Sequence, residues 1–310
     1  MNPSLTLRAR WALLSKPQAD SSDYRVLVCS DGPEAVSWFE RVVRDTLFGT
    51  PPPWSTAGRP GETLPWISFG ACDAGTAAGD GRWVTVSVTD WNSPAQATWD
   101  SSGRRSATTR CFLVPYAEVA RHHVGLVSLW NAVRPVQLPS ETRGETAPVL
   151  IEAQTDHLER TARTVDRLGF RWVAATAAAA LESPLALTAP GDRFALVRIG
   201  TIDAIAALLP FGYRATLTAS TWAPDATATD PWICYTRGSS TRRLPVHEGD
   251  VPTPASPRAR AHLARLQLLH GELGTLGLLR TLAERTAPVS FPGVVGARLR
   301  ARPSDSYPKD

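Results

Sequence analysis

The residues readiest for chemistry lie between positions 208 and 223. There "LLPFGYRATLTASTWA" alternates Thr216, Thr218, Ser220 and Trp222 with Ala215, Leu217, Ala219 and Thr221. A period of two predicts a strand, here with hydroxyls down one face, an indole at its end and Arg214 just before it. Hydroxyls donate and accept, an indole offers flat apolar area with one donor, and a guanidinium adds a forked cation. Such a row lines a shallow binding face or forms the wetted side of an antiparallel sheet, a place that suits threonine.

Other patterns carry less. The turn "CSDGPE" at 29–34 leads from a strand into a helix N-terminus, where α/β folds often bind anions. It has one glycine and neither phosphate-loop spacing, and Asp31 stands where a phosphate would come, so helix capping by Asp31 or Gly32 is expected. His122 and His123 are adjacent, so on a helix their rings diverge by about 100° and do not share a metal as an i, i+4 pair would. No C-x-x-C, H-E-x-x-H or G-x-S-x-G occurs, and Asp90, Asp100, Asp203 and Asp225 are scattered near the ends of predicted elements. No catalytic residue is assigned, and no metal or cofactor is expected. Gly271, Gly274 and Gly277 recur every three residues in a C-terminal helix, which admits a close neighbour or breaks the helix into two arms. Arg258, His262 and Arg265, with Arg260, read either as an ordinary solvated helix face or as a basic rim suited to an acidic partner. The expected partner-binding set is therefore Arg214, Thr216, Thr218, Ser220, Trp222, Arg258, His262 and Arg265.

The elements that must position these residues read as follows. Strands are predicted at "LRARWALLS" and "YRVLVCS", paired as a hairpin, then at "WISFGAC", "RWVTVSVTDW" and "TTRCFLVPY". A helix begins near Pro33, with Val36, Phe39, Val43 and Leu47 on one face, and short helices are expected at 116–121 and 126–133. "VRPVQLPSETRGETAP" reads as a linker, with a strand from Val149 to Glu152 beyond it. Leu158, Ala162, Val165 and Leu168 then mark an amphipathic helix, followed by an Ala-rich helix, a strand at "PLALTA" and a helix at "TIDAIAALLP". "PWICYTRG" is expected to close a hairpin with the hydroxyl strand, "SSTRRLPVHEGDVPTPASP" to be a loop, and about Arg258 to Glu284 to be one long helix. Fold class is α+β: a mixed α/β, strand-rich N-terminal domain over 1–140, a helix-rich α+β middle domain over 155–287, and a disordered basic tail over 288–310.

Composition agrees with a folded chain of two domains: 310 residues, 43% hydrophobic and 20% charged. No apolar run reaches the ~18 residues of a membrane span, and "MNPSLTLRARWALLSKPQ" lacks a signal peptide's apolar core, so a cytoplasmic location is expected. Cys29, Cys72, Cys111 and Cys234 are far apart in strand-like surroundings and read as buried free thiols. The net charge of +4 is spread along the chain, which disfavours nucleic-acid binding.

Three stretches together, "RWALLSKPQADSSDYRVLVCSDGP" at 10–33, "TTRCFLVPYAEVA" at 108–120 and "IDAIAALLPFGYRATLTASTWA" at 202–223, resemble the bacterial GTPase-associated protein one family. The resemblance is to its second-type N-terminal domain followed by its middle domain, over about residues 8–285. It implies an adaptor or regulatory component of a multi-gene conflict system in antiviral defence, acting through protein–protein contacts with a GTPase and an effector. It brings no catalytic residues. The alternative weighed against it is a small-ligand or nucleotide sensor, or an enzyme, with a pocket near loops 49–65 and 223–231.

Overall fold

The computed structural model describes residues 4–16, 24–48, 64–73, 81–91, 106–139, 147–154, 157–188, 194–223, 231–236 and 242–292. Among them the fold is α+β: a large mixed sheet with seven α-helices. The strands are β1 (Ser4–Ser15), β2 (Arg25–Cys29), β3 (Trp66–Asp73), β4 (Arg82–Trp91), β5 (Ala107–Pro115), β6 (Val149–Gln154), β7 (Leu185–Thr188), β8 (Ala219–Ser220), β9 (Ile233–Tyr235) and β10 (Leu244–His247). The helices are α1 (Val36–Thr46), α2 (Tyr116–Arg121), α3 (Leu126–Val133), α4 (His157–Leu168), α5 (Phe170–Ala180), α6 (Ala195–Ala207) and α7 (Pro257–Ala283).

Strand order across the sheet is β10-β7-β9-β8-β3-β4-β5-β1-β2, with β6 paired to the first half of β1. From β8 through β3, β4, β5 and β1 to β2 every pairing is antiparallel, whereas β10, β7, β9 and β8 run parallel. Strand β8 is the joint between the two regimes. One sheet thus carries strands from both of the units read in the sequence.

The two faces of the antiparallel half differ because β4 alternates strictly. Val84, Val86 and Val88 join Ile67, Phe69, Phe112, Val114 and Trp11 in the main core, which extends to α2, α3, α5 and α6. Thr85, Ser87 and Thr89 face the other way and are also buried. On that second face, the paired residues form one continuous row across the nine strands of the main path. It runs Pro245, Ala186, Cys234, Ser220, Ser68, Ser87, Cys111, Ala12, Cys29, and no member is larger than proline. Paired residues share a face, so the row is a shallow furrow in the sheet. Helix α1 covers one end of this face with Trp38, Phe39, Val42 and Val43, and Phe48 packs on Ala223 and Cys234. Gly70 admits Thr46 of α1, since a Cβ there would lie 2.8 Å from Thr46 Cγ2 and 2.8 Å from Thr85 Oγ1.

Several expectations change. The strand through 216–222 is a 3-10 turn over Phe211–Ala215 followed by two ladder residues, Ala219 and Ser220. Its backbone bonds go elsewhere: Gly212 N–H donates to Arg285 O at 2.8 Å, and Thr216 N–H to Tyr213 O at 3.0 Å. Strand β9 does pair with β8, but parallel to it rather than as a hairpin. The loop expected at 239–257 contains β10, which pairs with β7. Helix α7 breaks at Gly274, whose φ of 66° ends the first arm, so the chain doubles back along α4. The tail expected to be disordered from residue 288 is packed as far as Phe291, and residues 293–310 lie outside those described. Of the two residues expected to cap the first helix, Gly32 is the N-cap of the 3-10 turn Pro33–Ala35 that leads into α1, with no side-chain bond, and Asp31 pairs with Arg10 at 3.2 Å.

Candidate functional site

Segment 208–223 crosses the molecule and brings together most of the residues expected to bind a partner. Four of them point inward. Arg214, Thr216, Thr218 and Ser220 are at most 7% exposed. Their hydroxyls serve the fold. Thr218 Oγ1 accepts from Trp232 N–H at 2.8 Å, Ser220 Oγ meets Ser68 Oγ at 3.2 Å, and Thr216 Oγ1 donates to Val289 O at 2.8 Å. Thr221, the out-of-step member of the row, accepts Ile67 N–H at 2.9 Å. At a joint where a parallel strand meets an antiparallel one, the two-residue ladder leaves backbone groups over, and these hydroxyls pair them.

At the near end of the segment, Arg214 lies against the Phe211 ring, 4.4 Å from its centroid, with Nη2 3.8 Å from Asp203 Oδ1. The same carboxylate oxygen accepts Leu126 N–H at 2.9 Å, so α6 supplies the side-chain cap that Gly125, the N-cap residue of α3, cannot. Burial lowers the Arg214 pKa, and Asp203 and Tyr116 oppose that fall. Arg214 Nε has no hydrogen-bond partner among the described residues. His123, held at φ 51° in the turn between α2 and α3, places its ring 5.7 Å from that of Phe211. Its pKa is lowered, first by burial and then by the Arg214 charge. Tyr116 Oη donates to Thr286 O at 2.6 Å, and burial raises its pKa.

At the far end, Trp222 is half-buried and clusters with Leu64, Trp66, Trp91 and Ala107. Arg198, in the first turn of α6, donates from Nη1 to Thr221 O at 3.0 Å. Its guanidinium carbon lies 5.5 Å from the Trp222 ring and 5.0 Å from the Tyr235 ring. Trp222 follows the carboxyl end of β8 and Tyr235 ends β9, so the cluster sits at the carboxyl edge of the parallel strands, where open α/β sheets bind ligands. Further along that edge, Thr188 at the end of β7 bonds His247 at the end of β10. The sequence reading singled out Trp222 but missed Arg198 and Tyr235. Arg198 sits at the start of a helix read only from its apolar run, and nothing in the sequence aims it at rings 24 and 37 positions away.

The remaining expected residues lie on the first arm of α7. Arg258 and Arg265 are exposed, and Arg258 Nη2 reaches the Tyr213 hydroxyl. His262 is half-buried; its Nε2 must carry the proton it donates to Leu208 O at 2.9 Å, and burial lowers its pKa. The arm is fixed at both ends. Ser256 caps it, and the backbone N–H groups of Ala255 and Ser256 donate to Glu182 at 2.9 and 2.7 Å, while His270 stacks on Phe170 at 3.7 Å. Among the described residues no three His, Cys, Asp or Glu side chains gather as metal ligands would, and no helix is long and apolar enough to cross a membrane. The parts of loops 49–65 and 223–231 at 49–63 and 224–230 lie outside the described residues, as do Asp100 and Asp225. Compared with family models, curated proteins and solved structures, the chain matches none.

Proposed function

We propose that this protein is an adaptor of a GTPase-centred bacterial conflict system, acting through protein–protein contacts with the GTPase and an effector. The reading rests on the resemblance at residues 10–33, 108–120 and 202–223. One observation supports it: the first arm of α7 is a rigidly anchored helix that offers Arg258, Arg260 and Arg265 to solvent together with exposed Leu268 and Leu273. A preordered helix loses little backbone entropy on docking, and arginines beside large apolar groups suit an acidic, partly apolar partner surface. The test is affinity capture from the native host with wild type and with Arg258→Glu/Arg265→Glu. Recovery of a GTPase by the wild type and a tenfold or greater loss with the double variant is expected. Equal capture by both moves the interface off α7, and capture of no GTPase removes the adaptor reading.

A second reading, a small-ligand sensor, is favoured by the Arg198, Trp222 and Tyr235 cluster at the carboxyl edge of the parallel strands. A cation beside two aromatic rings suits a planar or anionic ligand. Small molecules released by denaturing the protein purified from its host, identified by mass spectrometry, test this reading. A ligand retained by the wild type and lost in Trp222→Ala supports it.

A further inference from the structure

After the second arm of α7, residues 285–291 do not leave the molecule but lie across the 3-10 turn at 211–215. Their backbone is read at four points. Gly212 N–H donates to Arg285 O at 2.8 Å and Gly212 O accepts Val289 N–H at 3.1 Å. Tyr116 Oη donates to Thr286 O at 2.6 Å, and Thr216 Oγ1 to Val289 O at 2.8 Å. Side-chain recognition is concentrated in one group: Phe291 is 1% exposed, with ring centroids 4.7 Å from Tyr213 and 4.8 Å from Trp232. Between these anchors Ala287 and Pro288 are exposed, as are Glu284 and Arg285 before them. The crossing requires Gly212, because a Cβ there would lie 1.8 Å from Ala287 O. Main-chain hydrogen bonds for affinity and one pocket for specificity are how proteins bind extended peptides.

We propose that residues 285–291 are a releasable strap, an internal ligand in a peptide-reading groove. A partner's extended segment with the same chemistry, free backbone carbonyls and an aromatic anchor two residues past the last of them, exchanges with it. The groove is formed by Tyr116, the turn around Gly212, Thr216, Tyr213 and Trp232, and Phe291 joins Tyr116, Tyr213 and Trp232 in the main core. The strap contributes no strand to the sheet and follows the last helix among the described residues, so lifting it leaves the ladder pairings intact. This inference concerns a surface other than the α7 face and holds whether or not the partner is a GTPase.

The test uses the full chain and a labelled synthetic peptide of residues 284–292, ERTAPVSFP, followed by fluorescence anisotropy. Phe291→Ala, which weakens the strap against its competitor, is expected to bind the peptide at least tenfold tighter than wild type. A peptide with alanine in place of its phenylalanine is expected to bind at least tenfold more weakly than the parent. A folded Phe291→Ala variant that gains no affinity, or that takes both peptides equally, overturns the proposal. Hydrogen exchange on the wild type provides a second reading should that variant not fold. The amides of Gly212 and Val289 are expected to exchange at least a hundredfold faster than those of Val86 and Phe112; exchange only together with them overturns a releasable strap.

Discussion

The two faces of the antiparallel half are made by the same strands and buried to the same degree, yet built from different chemistry. One is Val84, Val86, Val88, Phe112 and Phe69, packed under helices. The other is Ser68, Thr85, Ser87, Thr89, Thr109 and Cys111, all at most 3% exposed. The first face supplies the hydrophobic stabilisation. The second gives up apolar area for low relief, leaving the furrow along which α1 ends and Phe48 crosses to Cys234. Alternation of apolar and polar residues therefore does not mean here that one side is wet. It means that one side is packed by large side chains throughout, while the other has a central row of small residues flanked by the apolar cluster under α1.

The largest effect that would separate the faces is Phe112→Ala, expected to cost about 3–5 kcal/mol in urea unfolding because it opens a cavity under fully buried neighbours. A cost near that of the hydroxyl substitutions below would abolish the distinction. Next is the thiol on the small-residue face. Burial pushes Cys111 from an ordinary 9.0 up to about 11, against a small lowering by Ser87. A raised thiol pKa favours the neutral form, so its stabilisation is complete below pH 9.0 and is lost as the pH rises through about 11. The stability gap between wild type and Cys111→Ala is expected to shift against wild type by about 2–3 kcal/mol across that window. A gap independent of pH would place the thiol in contact with water.

Smaller effects sharpen the contrast. Thr89 and Thr109 share a buried hydrogen bond of 2.8 Å. Thr89→Val strands the Thr109 hydroxyl and is expected to cost about 1–3 kcal/mol, most of it recovered in Thr89→Val/Thr109→Val. Additive losses in the double variant would show that the pair does not act as a unit. Ser87 Oγ meets only the thiol of Cys111, a weak donor. Ser87→Ala is accordingly expected within about 0.5 kcal/mol of wild type. A loss above about 1 kcal/mol would reveal a stronger partner for that hydroxyl.

Much of the fold was legible where local pattern and tertiary demand agree. The alternation in "RWVTVSVTDW" marks β4 and both of its faces. Prolines and spacing bracket α2 and α3, and Leu158, Ala162, Val165 and Leu168 mark the inward side of α4. The candidate site was legible only in part. Trp222 stood out as an indole at the end of a polar row. Its neighbours Arg198 and Tyr235 come from the start of one helix and the end of another strand, and no spacing rule joins them. Arg214 read as a surface cation because an arginine beside threonines ordinarily faces water. Asp203 and Phe211, one of them eleven residues away, decide otherwise.

What the sequence determined by itself was the period of each long element, since side-chain alternation is a property of the local backbone. What only the tertiary structure decided was the path of residues 208–223 and 284–291. A strand and a 3-10 turn are both open to "FGYRATLTAS" locally. The choice falls to the turn because Gly212 finds its hydrogen-bond partners on Arg285 and Val289, more than seventy residues away. The same long-range contacts turn hydroxyls that look solvent-bound into the internal partners of a sheet changing direction.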